Sequence, residues 1–324
     1  MGSIVSTAPG LLDKVPVPDG SGVFWTSDFH AVRPSMRCRI FRLSRPPHEL
    51  ILETGGRYLG LSRFLAAAGR PDDLLALCRE GFFRPEALRR CLEEEAWEEV
   101  GAPDETAGEI DTPLARSQVG KILALGKNFS AHAAEFGEEV PAEPLFFNKL
   151  PELLTPTGAT VTVPAWYDGR VDHEAEVAVV IGSTGRDLRP EEAMDRVAGY
   201  AVANDLTART LQKNDRAKGF PWFRGKNLDG FCPLGPCFVP KEQLEVHDLR
   251  VQARVNGALR QDATTADWVV DIPHALAYLS RHLTLRPGDL VLMGTPEGVG
   301  PLQDGDEVVC EVEGIGALRT RIVR

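Results

Sequence analysis

Two glutamates spaced by one residue at the head of an apolar run set the tightest limit on how this chain folds. His173-Glu174-Ala175-Glu176 leads into Val177, Val179, Val180 and Ile181, and Asp205 follows 29 residues after Glu176, at the end of a second apolar run. The β-branched bulk of residues 173–181 predicts a strand. Alternate side chains of a strand share a face, so Glu174 and Glu176 project the same way, roughly 7 Å apart at their roots. Ala178 and Val180 continue that face, which turns apolar within one step. Two carboxylates there repel and lose hydration unless positive charge lies between them. A hard divalent cation answers that need, with Asp205 as a third oxygen ligand. The bland alternative is a solvated edge strand whose charges discourage aggregation. Spacing alone leaves both open.

Composition narrows the partners. Across 324 residues, 36 basic against 47 acidic side chains give a formal charge of −11. That balance disfavours nucleic acid, whose phosphates need a concentrated positive footprint. Nothing approaches the run of about 18 apolar residues that a membrane span requires. The six cysteines (Cys38, Cys78, Cys91, Cys232, Cys237 and Cys310) form no C-x-x-C pair, which suits buried thiols in a reducing compartment. The first residues lack the basic head and apolar core of a signal peptide, so a cytoplasmic enzyme is expected.

The chain divides by pattern. Residues 37–43, 49–53 and 58–59 read as strands of a hairpin around Gly55-Gly56, followed by helical patterns at 63–68, 72–79 and 85–99. A polar stretch at 101–117 then suggests a boundary between a small α/β N-terminal domain (1–118) and a second domain (119–324). Strand patterns dominate the second domain, at 121–125, 145–148, 160–163, 173–181, 200–204, 235–239, 249–255, 289–293, 306–313 and 317–323, with helical patterns only at 191–198 and 272–280. Long connections and few βαβ units predict an α+β, β-rich fold, not a doubly wound sheet.

The usual catalytic devices are missing. There is no G-x-S-x-G elbow, no P-loop, no HExxH and no GxGxxG after a strand. A different set is present. In Leu125-Gly-Lys-Asn-Phe-Ser-Ala-His132-Ala-Ala-Glu135-Phe-Gly137, Ser130 suits an N-cap and Gly137 a C′ position. His132 and Glu135 are then neighbours on one short helix. A carboxylate beside an imidazole raises its basicity, as a water-activating base requires, although an incidental pair on a surface helix has the same spacing.

Together with Phe146-Phe-Asn-Lys149, Glu174/Glu176, Asn204-Asp205-Leu-Thr-Ala-Arg209, Pro221-Trp-Phe-Arg-Gly-Lys226 and Gly294-Thr295-Pro-Glu-Gly-Val-Gly300, these residues resemble the fumarylacetoacetate hydrolase superfamily over roughly 119–324. Residues 1–118 look like the small N-terminal domain of its longer bacterial members. The resemblance implies a mixed β-sandwich roll, a homodimer, and Mg²⁺ (with Mn²⁺ or Ca²⁺ as alternatives) on Glu174, Glu176 and Asp205. It implies that His132 and Glu135 activate water, that Lys226 stabilises developing negative charge, and that Thr295 holds the substrate carboxylate. Asn128 is a further candidate oxyanion donor, and Arg209 is placed to meet an anionic substrate unless it faces solvent. Three carboxylates, one divalent ion and Lys226 sum to neutrality.

The activity this implies is hydrolysis of a C–C bond in acylpyruvate-like 2,4-dioxo acids, small anionic keto acids. An oxaloacetate-type decarboxylase, a hydratase or isomerase of 2-oxo-dienoates, and a catalytically silent keto-acid-binding protein are the competing readings. Departures from the family's pattern at Lys127, Phe129, Thr210, Ala266 and Trp268 spare the metal and dyad positions and bear on substrate identity.

Overall fold

In the computed structural model, residues 37–104, 108–131 and 141–324 are described. Seventeen strands form among these residues. They are β1 (Cys38–Arg42), β2 (Leu50–Thr54), β3 (Arg57–Gly60), β4 (Ile122–Gly126), β5 (Leu145–Lys149), β6 (Leu154–Thr155), β7 (Ala159–Thr162), β8 (Val171–Asp172) and β9 (Ala175–Ile181). The later ones are β10 (Val197–Asn204), β11 (Thr207–Ala208), β12 (Cys232–Pro240), β13 (Arg250–Val255), β14 (Ala258–Thr264), β15 (Leu290–Leu292), β16 (Glu307–Val312) and β17 (Gly316–Val323).

The larger sheet runs β3-β2-β1-β12-β10-β9-β15-β4-β5, with β6 added alongside β12; a second runs β14-β13-β16-β17-β7, and β8 pairs with β11. Most neighbours are antiparallel, with β4/β15, β6/β12 and β7/β17 parallel. The fold is the expected strand-rich α+β class. Pairing of Ile40 with Phe238 joins β1 to β12, so residues 37–60 extend a sheet built mainly from later strands.

β9 is buried at every position and lies between β10 and β15, which removes the edge-strand alternative. Strands covered on both faces read as continuous apolar runs, as β9 does. Val177, Val179 and Ile181 pack in the same cluster as Val251, Val308, Cys310 and Ile322 of the second sheet. Ala178 and Val180 pack in another, with Leu61, Leu65, Leu74, Leu75 and Leu88 of the helices Leu61–Ala67, Leu74–Arg79 and Pro85–Glu94.

Three local expectations fail for identifiable reasons. The helix expected at 191–198 stops at Pro190–Ala193 and a 3₁₀ turn, because Val197 already pairs with Ile181 in the β9–β10 ladder. Arg209–Ala217 is a helix that no apolar period announces; only Gln212 and Asp215 on it are buried. β14 alternates poorly because it is an edge strand, paired only with β13.

Gly199 permits the close approach of β10 and β12. A Cβ there would lie 2.2 Å from the Val239 carbonyl oxygen and 2.5 Å from the Phe238 ring. Gly199→Ala is expected to destabilise the protein by about 1–3 kcal/mol, the usual range for overpacking, read as a lowered urea midpoint.

Candidate metal centre

The site forms where three strand ends meet. Glu176 lies in β9 opposite Ala203 of β10, so Asp205, one residue past β10, arrives beside it. The Glu174 carbonyl accepts from the Asp205 N–H at 2.9 Å, and Asn204 Oδ1 accepts from the Glu174 N–H at 3.0 Å. One carboxylate oxygen from each of Glu174, Glu176 and Asp205 falls within 4.8 Å of the others, and all three residues are buried. The structure thus brings the three acids together.

Lys226 closes the short helix Phe223–Lys226, which Gly225 lets settle on the Arg209–Ala217 helix: a Cβ there would meet Gln212 Cβ at 2.8 Å. Its ammonium donates to Glu174 Oε2 at 2.8 Å and Asp205 Oδ2 at 2.6 Å, above the Phe147 ring. Burial pushes its pKa down, but Asp205 and Glu174 more than offset that, and the ammonium is held above its ordinary value. Arg209 donates to Asp172 Oδ2 at 2.7 Å, to Gln212 and to Glu174, whose Oε1 also accepts from the Thr207 hydroxyl at 3.0 Å. It is mostly buried and paired, not solvated.

Two charged residues carried no assigned role from sequence. Lys149, at the end of β5, donates to Asp205 Oδ1 at 2.6 Å and to the Lys226 carbonyl at 2.7 Å, and is 1% exposed. Asp172, fully buried, receives Arg209 and the more exposed Arg170. Lys149 closed the Phe146-Phe-Asn-Lys149 motif of the family resemblance, which assigned it no role; adjacency to His173 was the signal for the second. These additions correct the expected charge balance. Four buried carboxylates against Lys149, Lys226 and Arg209 leave one net negative charge, and a divalent ion turns this to one net positive charge.

The donor set fits such an ion. Glu176 accepts from the Gly294 N–H at 2.7 Å but pairs with no cationic side chain among the described residues. Its carboxyl is pushed well above the usual carboxylate range, first by burial, then by Asp205 and Glu174. A positive ion among these oxygens relieves all three effects, and all-oxygen ligation suits a hard cation.

Glu174, Glu176, Lys226, Arg209 and Thr295 line a cavity of about 640 Å³, with Lys127, Lys213 and Arg216 farther round its wall. Asn128 does not reach it, which corrects its expected role. Its Nδ2 donates to the Val270 and Met293 carbonyls at 3.0 and 2.8 Å, and its Oδ1 accepts from the Val270 N–H. Both amide hydrogens are already committed to backbone, so the side chain is a brace. Among the departures from the family's pattern, Lys127 and Thr210 line the cavity, whereas Phe129 and Trp268 pair with each other in an isolated bridge. His132 and Glu135 lie outside the described residues.

The chain has counterparts among known proteins. Mitochondrial oxaloacetate tautomerase FAHD1 of Bos taurus is 39% identical over 204 residues, 63% of this chain and 91% of that protein. Fumarylacetoacetate hydrolase from psychrophilic Exiguobacterium antarcticum superposes with a TM-score of 0.73 at 31% identity, covering 88% of this chain and 99% of that one. Fumarylpyruvate hydrolase from Pseudomonas aeruginosa, solved with Mn²⁺ and pyruvate, gives a TM-score of 0.61 at 33% identity, over 70% of this chain and 99% of that one. With the buried acidic triad, that Mn²⁺ complex supports divalent-metal binding here. The sequence profile described as "Fumarylacetoacetate (FAA) hydrolase C-terminal" matches residues 121–323, and the chain belongs to that family.

Proposed function

We propose that this protein is a divalent-metal-dependent enzyme of small anionic 2-oxo acids, and that it hydrolyses a C–C bond in acylpyruvate-like 2,4-dioxo acids. One observation carries the reading: three buried carboxylates lie within 4.8 Å of one another, and two of them, Glu174 and Glu176, line a cavity whose other charged lining is cationic. In this reading Glu174, Glu176 and Asp205 hold the ion, Mg²⁺ by preference with Mn²⁺ or Ca²⁺ as substitutes. A bound ion supplies Lewis-acid stabilisation of negative charge developing on the substrate. Lys226 adds a fixed positive charge beside it, desolvated and already oriented by Glu174 and Asp205, so little reorganisation is needed as charge develops. Arg209 and Thr295 receive the substrate carboxylate, and His132, oriented by Glu135, takes the proton of the attacking water.

The chemistry belongs to residues 119–324, with 1–118 as an accessory N-terminal domain, in a cytoplasmic homodimer. Six free cysteines accord with a reducing compartment. No helix among the described residues is long and apolar enough to cross a membrane.

A second reading is favoured by the 39% identity to an oxaloacetate tautomerase. Tautomerisation or decarboxylation of oxaloacetate would use the same ion and the same cations, without water activated at His132.

Two experiments test these readings. Glu176→Ala is expected to weaken Mn²⁺ binding and abolish turnover, and chelator-treated protein should regain activity with Mg²⁺ or Mn²⁺; full activity in metal-free protein would overturn the ion's role. His132→Ala should spare Mn²⁺ binding and lower turnover of 2,4-dioxo acids by about two to four orders of magnitude, followed as loss of enol absorbance. Undiminished turnover in that variant, alongside conversion of oxaloacetate, would replace the hydrolytic reading with the second one.

A further inference from the structure

On β14, Gln261 is the one fully buried side chain of an otherwise exposed or half-buried edge strand. A buried amide on such a strand is there for its hydrogen bonds, since burial without partners is unfavourable. Its Oε1 lies 3.0 Å from the Ala175 N–H, a group that only donates, and this fixes which end of the amide is oxygen. The same oxygen lies 3.2 Å from His173 Nδ1, which therefore carries a proton. The Nε2 end then donates both hydrogens, one to the Pro296 carbonyl at 2.8 Å and one to Thr295 Oγ1 at 2.8 Å.

The Thr295 hydroxyl is therefore an acceptor toward Gln261, and its own proton must point elsewhere. No acceptor for that proton is found among the described residues, and Thr295 lines the cavity next to Glu174 and Glu176. The loop bearing Thr295 is pressed against β14: at Gly298, φ is +90° and a Cβ would lie 2.0 Å from the Arg260 carbonyl oxygen. One amide thus ties the backbone between the two glutamates to the hydroxyl of a residue that lines the cavity.

We infer that Gln261 is a positioning residue that fixes the Thr295 hydroxyl as a donor toward the carboxylate of the bound 2-oxo acid. The inference rests on the proposed reading in which Thr295 contacts substrate. A freely turning hydroxyl can aim its proton in several directions; one that accepts from Gln261 keeps its proton turned away from that amide and available to donate, which suits an anionic oxygen. Gln261 touches neither ion-ligand side chain nor substrate in this assignment; its contact with the Ala175 N–H is the other route by which it could act, and a variant that keeps that contact separates the two.

A double-mutant cycle tests this on the Mn²⁺-loaded full chain, with pyruvate as the probe, titrated by calorimetry. Thr295→Val is expected to raise the pyruvate Kd about tenfold or more, the usual worth of a hydrogen bond to a charged group, with Mn²⁺ affinity unchanged. Gln261→Met should raise it comparably, and the double variant should bind no more weakly than Thr295→Val alone. Multiplying effects would overturn the inference, because a general structural role does not need the hydroxyl. Pyruvate binding unaffected by Thr295→Val would instead remove Thr295 from the substrate site. Should Gln261→Met fail to fold, Gln261→Glu keeps the Ala175 contact while its second oxygen draws the hydroxyl proton away. It too should weaken pyruvate binding in the wild-type background and add nothing in the Thr295→Val background; wild-type affinity or an additive loss would refute the assignment.

Discussion

Asp205 accepts one ammonium on each carboxylate oxygen, Lys149 on Oδ1 and Lys226 on Oδ2. Removing four carboxylates from water is costly, and isolated charges in a protein interior survive only when paired and hydrogen-bonded. Both ammoniums sit at the base of the site, and Lys149 also holds the Lys226 carbonyl. The end of β5, the residue after β10 and the Phe223–Lys226 helix are therefore locked to one another by charge. Each carboxylate oxygen has more than one lone-pair direction, so these bonds leave Asp205 able to serve an ion as well. Glu176 is the acid this arrangement leaves without a cationic partner among the described residues, and it lines the cavity.

The same charges shape what the cavity accepts. With an ion in place the buried cluster carries a net positive charge, and Lys127, Lys213 and Arg216 extend that field along the wall. Such a field favours a carboxylate ligand and stabilises negative charge that grows during reaction. Hydrolysis, tautomerisation and decarboxylation of 2-oxo acids all pass through charge of this kind. One polar frame of this kind can therefore serve any of these reactions.

What the amino-acid sequence determined by itself is local. The apolar run after Glu176 made β9 a strand buried on both faces, and the one-residue spacing put two acids on one side of it. Periodicity likewise marked Pro85–Glu94 and Ile272–His282 as helices, and β14 and Arg209–Ala217 escaped because polar, exposed elements carry no apolar period. The motif set at Glu174, Glu176, Asp205, Lys226 and Thr295 was legible as a family resemblance.

Only the tertiary structure decided which charges meet. Lys149 reaches Asp205 across 56 positions, Arg209 reaches Asp172 across 37, and Gln261 reaches Ala175 across 86. It also withdrew Asn128 from the cavity by engaging its amide with the Val270 and Met293 carbonyls. No local pattern encodes such pairs. They follow from sheet order, strand register and the close approaches that Gly199, Gly225 and Gly298 allow, and these are properties of the packed chain.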